Sequence, residues 1–342
     1  MEQAKNKKNI ILKVAFLLLL VVGTVFVVSR QRTMPYQHDT GFVFGTVYNI
    51  TYQSDRNLKK EIEAELKKVD DALSMFNQTS IISRVNRNED VVVNQMFEDV
   101  FTLAEKVSDD TGGAYDITVA PLVNAWGFGF KKGLKPTPNV VDSLKAIVGY
   151  KKVSLSHGRI VKKDKRVMLD CSSIAKGYGS DVVANFLHSQ GIDNFMVEIG
   201  GEVVTHGINE KRLPWRIGVV KPADDPMNTS QDLQTVLNVT NKAMATSGNY
   251  RNFYYKNGKK YAHTIDPKTG YPVQHNILSA TVLADRCATA DAYATAFMVL
   301  GLDKAKEVLN RNPKLMAYLI YSDKNGKNAV WFSPSLRDKI NK

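Results

Sequence analysis

The segment "ATADAYATAF", residues 288–297, combines an acidic and a hydroxyl side chain at a spacing that suits a metal ion. Asp291 and Thr295 are four residues apart, so they lie on one face if the segment is helical. A carboxylate and a hydroxyl on one face can share Mg²⁺, which usually takes one or two protein carboxylates together with water and substrate phosphate oxygens. The competing interpretation is that both are ordinary residues of an alanine-rich helix, and this segment alone does not decide between the two.

A second segment, "LDCSSIAKGYGSD" at residues 169–181, has the features of a phosphate site. Asp170 and Ser173 precede an expected helix over Ile174–Ser189, and Lys176 falls in its first turn. The N–H groups at the start of a helix, together with a lysine, attract phosphate. A serine N-cap explains the same residues without any ligand.

Two further segments have the composition of ligand-contacting loops. The run "GGAYDITVAPLVNAWGFG", residues 112–129, surrounds Asp116 with glycines and aromatic rings, so it can wall a flat aromatic ligand. An aromatic-stapled loop packed on the core has the same composition. The run "TSGNY", residues 246–250, is a tight polar turn whose backbone donors can hold a phosphate or a ribose.

The stretch "KYAHTIDPKTGYPV", residues 260–273, places His263 in a strand-like run just before a strongly specified turn. Asp266, Gly270 and the two prolines favour bends, which fixes the position of the residues before them. The dipeptide Asn257-Gly258 predicts a hairpin that returns His263 towards the "TSGNY" turn. A half-buried histidine bonded to a backbone carbonyl is the competing interpretation.

The elements that must position these residues are expected to form an α+β fold with a mixed, largely antiparallel sheet. "FVFGTVYNITY" alternates as one strand, a helix is predicted over Asn94–Asp109 and another near Ala288–Leu300, and short strands broken by turns follow Tyr150. Apolar residues that step by three and four predict one buried helix face at Ile62, Leu66, Val69, Leu73 and Phe76. Strands joined mostly by hairpins argue against a doubly wound parallel sheet, and neither GxGxxG nor GxxxxGK[ST] occurs in the sequence.

Composition and charge narrow the class of protein. The 342 residues are 44% hydrophobic and carry a formal charge of +12, which suits a globular protein large enough for one sizeable core. Residues 1–32 contain six Lys or Arg and one Glu and contribute +5, which leaves +7 scattered over the remainder. Because these charges form no concentrated patch, we predict a solvated basic face and no nucleic-acid partner.

The amino-terminal segment predicts an attachment to a membrane. A lysine-rich start precedes the apolar run Val14–Val28, which has the pattern of a signal peptide or a signal anchor. The "VVS" before Arg30 is a poor cleavage site and no cysteine follows to accept lipid, so an uncleaved anchor is favoured over a cleaved signal. We therefore expect an anchor at residues 1–32, a short linker "QRTMPYQHDTG", and one catalytic domain at 33–342, held by a bacterial inner membrane on its extracytoplasmic (periplasmic) side.

The cysteine content excludes a disulfide scaffold and a cysteine-based zinc site, because only Cys171 and Cys287 are present. They can form one bridge in an oxidising compartment or serve as two small buried apolar residues. The sequence leaves both possibilities open.

Taken together and in their order along the chain, the segments resemble the FAD:protein FMN transferase family known as ApbE. The resemblance runs from "FGTVYNITY" through "LSMFNQTSIISRVN", the five segments above, "VEIGGEVVTHG" and "WRIGVVKP", and so covers nearly all of the chain after the anchor. It implies a single ApbE-like domain that cleaves FAD with Mg²⁺ and attaches FMN by a phosphoester bond to a threonine or serine of an acceptor protein, releasing AMP. The implied acceptors are flavoprotein subunits with a motif of the type Asp-x-x-Ser/Thr-Gly-Ala-Ser/Thr.

The resemblance also assigns residues to roles. It implies that Mg²⁺ is held by the backbone carbonyl of Ser173 with Asp291 and Thr295. The positions implied for FAD are Phe44, Phe76, Ala114, Tyr115, Asp116, Asp170, Lys176, Ser247, Gly248, Tyr250, His263 and Ile265.

A threonine hydroxyl needs a base to become a good nucleophile, and we expect His263 to supply it, with Asp170 or Asp266 as alternatives. His263 and Asp291 are thus the expected catalytic residues. Two positions depart from the usual family pattern, since Phe44 replaces a methionine and Asn249 an aspartate. A metal-dependent FAD pyrophosphatase that yields FMN and AMP, or a flavin-binding module without enzymatic activity, are the alternatives left open.

Overall fold

The computed structural model describes residues 2–129, 136–222, 232–249, 253–256 and 259–340. Its helices are α1 (Glu2–Thr33), α2 (Lys59–Leu73), α3 (Ile81–Asn86), α4 (Gln95–Asp110), α5 (Ala120–Ala125), α6 (Pro138–Lys145), α7 (Ala175–Ser189), α8 (Cys287–Leu300) and α9 (Leu302–Arg311). Its strands are β1 (Tyr36–Val43), β2 (Thr46–Gln53), β3 (Val153–Ser156), β4 (Arg159–Lys162), β5 (Phe195–Ile199), β6 (Glu202–His206), β7 (Arg216–Val220), β8 (Leu233–Asn238), β9 (Lys242–Gly248), β10 (Phe253–Lys256), β11 (Lys259–Ala262), β12 (Ile277–Ala284), β13 (Met316–Ser322) and β14 (Asn328–Phe332).

One eight-stranded sheet, in the order β1-β2-β5-β6-β9-β12-β13-β14, forms the centre of the fold, and every neighbouring pair in it is antiparallel. Successive side chains of a strand point to opposite sides of the sheet, and both faces of this sheet pack against other parts of the protein. Val282 of β12 packs in the helical core, and its neighbour Leu283 packs in the cluster under β7 and β8. The expected α+β class with a largely antiparallel sheet is confirmed.

The amino-terminal strands correct two expectations. The predicted single strand "FVFGTVYNITY" is a hairpin, because Phe44 and Gly45 both have positive φ, 51° and 74°, and Val43 pairs with Thr46 across this two-residue turn. The prediction that the linker extends to residue 41 is also wrong, since β1 already begins at Tyr36. Alternating burial of Tyr48, Ile50 and Tyr52 fixes the register of β2 against the core.

The helices that carry the predicted site follow the sequence closely. α4 begins one residue later than predicted, because Asn94 is its N-cap and accepts a hydrogen bond from the N–H of Phe97 at 3.0 Å. α7 and α8 differ from their predicted bounds by one residue at the start. α2 ends at Leu73, so the prediction that Phe76 belongs to its buried face is wrong: Phe76 is 72% exposed.

Helix α8 is apolar on nearly all sides and packs between α7 and the strands β9 and β12. Its alanines and Gly177 of α7 allow the two helices to approach closely. A Cβ atom on Gly177 would lie only 2.6 Å from the carbonyl oxygen of Cys287. Any larger residue at Gly177 would therefore separate α7 from α8.

The predicted hairpin at Asn257-Gly258 lies outside the described residues, but the strands on both sides of it pair as expected. β10 runs antiparallel to β11, and Lys256 is opposite Lys259. This pairing delivers the chain directly to His263.

In α1, the 20 residues Ile10–Ser29 have a mean hydropathy of 2.9 and no buried residues. By length and composition this helix can cross a membrane, a property that a signal sequence near the amino terminus shares. The two cysteines are both buried and free, so no bridge joins Cys171 to Cys287.

Candidate active site

The start of α7 meets the middle of α8, and this contact brings two of the predicted segments together. The backbone N–H of Gly177 donates a hydrogen bond to Oδ2 of Asp291 at 3.0 Å. Asp291 is only 3% exposed, and burial raises the pKa of its carboxyl group, while the nearby Lys176 opposes that shift. A buried carboxylate that accepts one amide N–H has the capacity for a further electropositive partner.

Lys176 connects this contact to β6. Its Nζ lies 2.6 Å from Oε2 of Glu202, which is 2% exposed. Burial disfavours the ammonium form, but the carboxylates of Glu202 and Asp291 outweigh that effect and raise the pKa of Lys176. Burial likewise raises the pKa of Glu202, against the pull of Lys176. Two buried carboxyl groups, of Glu202 and Asp291, thus lie near the half-buried ammonium of Lys176.

Glu202 is a residue that the sequence analysis did not select. Its signal was present in "VEIGGEVVTHG", where a glutamate opens an apolar strand directly after two glycines. Its Oε2 receives the ammonium of Lys176 at 2.6 Å, so this buried carboxyl group is paired across β6 and α7.

The hydroxyl groups of Ser247 and Thr295 meet at the end of β9, 3.2 Å apart. Thr295 lies one turn after Asp291 on α8, and Ser247 and Gly248 are the last residues of β9, where they pair with Ala280 and Ser279 of β12. The "TSG" turn and the predicted metal residues of α8 therefore adjoin each other. Tyr250, the last residue of the predicted "TSGNY" turn, lies outside the described residues.

Tyr115 of the "AYD" run reaches the other side of the α7 start. Its hydroxyl accepts a hydrogen bond from Oγ of Ser173 at 3.1 Å. Burial holds the pKa of Tyr115 well above its usual value, so the phenol stays protonated. Both Tyr115, 1% exposed, and Ala114, 5% exposed, are core residues, and the expected open aromatic wall is not formed by this ring.

Asp170 and Asp116 are both engaged by nearby backbone groups. Asp170 accepts the N–H of Ser172 at 2.8 Å, and burial raises its pKa against that bond. Asp116 accepts from both the N–H and the hydroxyl of Thr118 through Oδ1 and from the N–H of Tyr150 through Oδ2. The carboxylate of Asp116 thus holds two loops together, and a direct contact with FAD stays a prediction.

The donor chemistry around Asp291 suits Mg²⁺. The carboxylate of Asp291, the hydroxyl of Thr295 and the backbone carbonyl predicted at Ser173 are all oxygen donors, and Glu202 adds a buried carboxyl group that is paired with Lys176. Hard divalent cations take oxygen ligands, and Mg²⁺ needs few of them from the protein. The residues that the structure describes here therefore fit the metal that the sequence predicts.

His263 follows the β10–β11 hairpin and is partly buried, with its ring edge-on to Phe128 at a centroid distance of 6.4 Å. Its neighbour Thr264 donates a hydrogen bond to Oδ1 of Asn249 at 2.8 Å. This bond returns the His263 segment to the "TSGN" turn, as the hairpin prediction requires. An aspartate at position 249 would accept the same bond, so this departure from the usual family pattern preserves the contact.

The turn after His263 is pinned by Trp126, whose Nε1 donates to the carbonyl of Gly270 at 2.8 Å. Asp266 accepts the N–H of Lys268 at 2.8 Å, which closes the turn from inside. Ile265 is 5% exposed and packs in the small cluster that contains Trp126. Trp126 therefore fixes a loop to the core, which is the alternative to a ligand wall that the sequence left open for residues 112–129.

Phe44 and Phe76 lie at the margins of this arrangement. Phe44 has a strained positive φ of 51°, and its ring contacts α7 so closely that a Cβ atom on Gly179 would lie 2.6 Å from it. Phe76 is exposed after the end of α2. The structure thus gathers the residues at the start of α7, on α8 and at the end of β9, whereas Phe76 and Ile265 lie in other surroundings.

Asp181 is a second residue that the sequence analysis missed, although it closes the "LDCSSIAKGYGSD" segment. Its two carboxylate oxygens accept the N–H groups of Cys287 at 2.7 Å and Ala288 at 3.0 Å, the first residues of α8. Burial raises the pKa of Asp181 to about 6, although both bonds act to lower it. This carboxylate caps α8 from another helix and so sets the position of Asp291 relative to α7.

Comparison with known proteins gives a consistent result. The model of the ApbE family matches residues 44–320. FAD:protein FMN transferase of Haemophilus influenzae is 40% identical over 330 residues, which covers 90% of this chain and 94% of that protein, and the transferase of Vibrio cholerae is 35% identical with the same two coverages. The solved structure of flavin transferase ApbE from Vibrio cholerae superposes with a TM-score of 0.81 at 36% identity, covering 90% of this chain and 99% of that one. The apo form of Pseudomonas stutzeri flavinyl transferase ApbE gives a TM-score of 0.79 at 28% identity, covering 90% and 97%.

Proposed function

This chain belongs to the ApbE family, and we propose that it is a Mg²⁺-dependent FAD:protein FMN transferase. It would cleave the pyrophosphate of FAD, attach FMN through a phosphoester bond to a threonine or serine of an acceptor protein, and release AMP. The observation that carries this proposal is the pair of buried carboxyl groups of Glu202 and Asp291 near the half-buried Lys176 at the start of α7, next to the hydroxyl groups of Thr295 and Ser247. Burying a charge costs free energy unless the charge is compensated, so a hydrophobic core is more stable without such residues. Their presence therefore favours a role in binding or catalysis.

The chain's own residues divide the work as follows. Asp291, Thr295 and the carbonyl of Ser173 would hold Mg²⁺, which supplies charge neutralisation at the pyrophosphate when it is bound. Lys176 keeps its ammonium beside Glu202 and is available to a phosphate oxygen. Gly177 contributes to the geometry, because its N–H fixes the Oδ2 oxygen of Asp291.

FAD would extend from this point along the predicted binding residues. We propose that Ser247, Gly248 and Tyr250 contact its phosphates or sugar, and that the "AYD" run and Phe44 border the rest of the ligand. Phe76 is exposed and can contact FAD only at the rim of the site.

His263 is proposed as the base that accepts the proton of the acceptor hydroxyl. The competing carboxylates are less suited to that role, since Asp266 closes its own turn and Asp170 accepts the N–H of Ser172. The Thr264–Asn249 bond holds the His263 segment against the turn that is proposed to bind phosphate. The base would therefore sit beside the phosphorus that is attacked.

We further propose that residues 1–32 anchor the enzyme in a bacterial inner membrane and that residues 33–342 form the catalytic domain on its periplasmic side. The 20 apolar residues Ile10–Ser29 support the anchor. The proposed partners are flavoprotein subunits with the acceptor motif Asp-x-x-Ser/Thr-Gly-Ala-Ser/Thr, which a membrane-attached enzyme would meet at the same surface.

The proposal is tested by incubating the full-length chain in detergent with FAD, Mg²⁺ and a peptide that carries the acceptor motif. We expect the peptide to gain the mass of an FMN phosphoester while AMP appears in equal amount, and EDTA to stop both. A peptide with alanine at both Ser/Thr positions of the motif is the matched control and should stay unmodified.

Two outcomes would contradict the proposal. Production of FMN and AMP with the peptide unmodified would identify a pyrophosphatase that uses water as the nucleophile. Retention of intact FAD on the protein, with no AMP after Mg²⁺ is added, would identify a flavin-binding module.

A further inference from the structure

A group of metal-ligating side chains outside the proposed flavin site lies at the opposite end of α7. His188 is in the last turn of α7, Asp193 is in the connection to β5, and His206 is the last residue of β6. One ligand atom from each of these three side chains lies within 4.8 Å of the other two. Residues from a helix end, a loop and a strand end thus converge on one point.

The tautomer of the His206 ring is fixed by a contact with the backbone. Its Nδ1 lies 2.6 Å from the backbone carbonyl oxygen of Asp193, so Nδ1 carries the proton and Nε2 carries the free lone pair. Metal-bound histidines very commonly donate their second N–H to a carbonyl in this way. The ring also stacks on the fully buried Phe195, with centroids 5.8 Å apart and an interplanar angle of 23°.

His188 completes the pair of imidazoles. Its ring meets His206 edge-on at 4.5 Å, and Nδ1 lies 3.7 Å from Oδ1 of Asp193. That separation is too long for a good hydrogen bond, but it is close to the spacing of about 3.3 Å between two ligands that share a tetrahedral ion with bonds near 2.0 Å. Burial and the adjacent His206 lower the pKa of His188, which favours the neutral, metal-binding form.

The backbone around this cluster is tightly packed. Gly207, with a φ of +61°, approaches the connection so closely that a Cβ atom would lie 2.4 Å from the carbonyl oxygen of Asp193 and 2.1 Å from Oδ1 of Asn194. The Asn194 oxygen also accepts the N–H of Ile208 at 2.9 Å. The loop that carries Asp193 is therefore fixed to the strand end that carries His206.

Space for further ligands is present next to the imidazoles. His188 and His206 line a cavity of about 270 Å³, which is large enough for water molecules that would fill an open coordination position. The side chain of Asp193 is 73% exposed and that of His188 is 40% exposed, so small rotations can bring both to bonding distance.

We propose that His188, Asp193 and His206 form a second metal site that binds a late first-row divalent cation, with Zn²⁺ as the best match. Two imidazoles, one carboxylate and one water complete a tetrahedral shell, and imidazole ligands select Zn²⁺ over Mg²⁺. The ion would cross-link the carboxyl-terminal ends of α7 and β6, whose opposite ends supply Lys176 and Glu202 to the proposed flavin site. This inference does not depend on the proposed transferase activity.

The test is calorimetric titration of untagged, full-length protein with Zn²⁺ in detergent and excess Mg²⁺. We expect one Zn²⁺ per chain at this site, and at least about tenfold weaker binding in His188→Gln and in Asp193→Asn. His157→Asn is the matched control, because His157 is an exposed histidine with a φ of 47° that asparagine readily adopts. It should bind Zn²⁺ as the parent does.

A second readout locates the ion without relying on affinity. Trp215 donates from Nε1 to the backbone carbonyl of His206 at 2.9 Å, so Cu²⁺ bound at this site should quench its fluorescence. Trp215→Phe should remove most of the quenching, and His188→Gln should shift it to at least about tenfold higher Cu²⁺.

Three results would overturn the proposal. They are the absence of Zn²⁺ binding in the parent at 100-micromolar-scale concentrations, unchanged Zn²⁺ binding in the double variant His188→Gln/His206→Gln, and loss of Zn²⁺ binding in Asp291→Asn with His188→Gln unaffected. The last result would assign the Zn²⁺ to the proposed flavin site.

Discussion

Replacing Asp291 by asparagine should stabilise the protein in the absence of Mg²⁺ and remove its response to Mg²⁺. Asp291 is 3% exposed, and burial raises the pKa of its carboxyl group in the folded state. When the pKa of a carboxyl group is higher in the folded state than in the unfolded state, the unfolded chain releases the proton more readily. The free energy of unfolding therefore falls as pH rises above the unfolded pKa, which is near 3.9. At pH 8 the asparagine variant avoids this loss, and its amide oxygen can still accept the N–H of Gly177.

The response of the parent to Mg²⁺ can be estimated. A ligand present at ten times its dissociation constant stabilises the folded state by about 1.4 kcal/mol, and at a hundred times by about 2.7 kcal/mol. For a folded unit of about 300 residues, with an unfolding entropy near 2.1 cal/mol/K per residue, these energies raise Tm by about 2 °C and about 4 °C. Flavin transfer should fall by at least about a hundredfold in the variant, since metal neutralisation of phosphate charge is worth several kcal/mol.

The assay is thermal unfolding at pH 8 with and without Mg²⁺, followed by intrinsic fluorescence, on the full-length chain in detergent. Asp303→Asn is the control, because that side chain is 95% exposed on α9 and should leave both Tm values unchanged. The reasoning is refuted if Asp291→Asn shows the same Mg²⁺-dependent rise in Tm as the parent. It is also refuted if the variant without Mg²⁺ unfolds at a lower temperature than the parent.

Three other predictions address His263, Asp181 and the cysteines. His263→Ala should retain FAD binding but lower the transfer rate by about two to four orders of magnitude; weaker FAD binding with an unchanged saturated rate would make His263 a ligand contact. Because the pKa of Asp181 is raised to about 6, the parent should lose about 2 kcal/mol of unfolding free energy relative to Asp181→Asn between pH 4 and pH 7, and a constant difference in denaturant titrations would contradict this. Cys171 and Cys287 should both react with a thiol reagent after unfolding without reductant, whereas a bridge would leave neither reactive.

The sequence predicted the elements with strong local signals and missed those that depend on contacts across the chain. α7 and α8 were predicted to within one residue at the start, because apolar periodicity and turn residues bound them on both sides. The β1–β2 hairpin was read as one strand, since its two-residue turn uses Phe44 at a positive φ, a conformation that a phenylalanine seldom signals. Phe76 continued the apolar spacing of α2 beyond the point where the helix ends.

The same distinction applies to the site. Asp291 and Thr295 could be selected from their helical spacing, and the "TSG" turn from its polar composition. Glu202 and Asp181 were missed, because the local sequence does not show the distant partner on which each acts: Glu202 on Lys176, and Asp181 on the first N–H groups of α8. Spacing within one segment carries information about a shared face, whereas a contact between a strand and a helix depends on the tertiary packing.

The charges of Lys176, Glu202 and Asp291 also bear on how a metal and a pyrophosphate would bind there together. Glu202 and Asp291 outnumber the ammonium of Lys176 by one negative charge when both carboxyl groups are ionised, and burial raises the pKa of both. Adding a divalent cation would convert that excess into one positive charge, and a dianionic pyrophosphate would return the site to one negative charge. Each ligand would thus offset the charge of the other, so Glu202→Gln, which lowers the negative charge, should weaken Mg²⁺ binding in the absence of FAD more than in its presence. Equal weakening under both conditions, measured by calorimetry, would place Glu202 outside this charge balance.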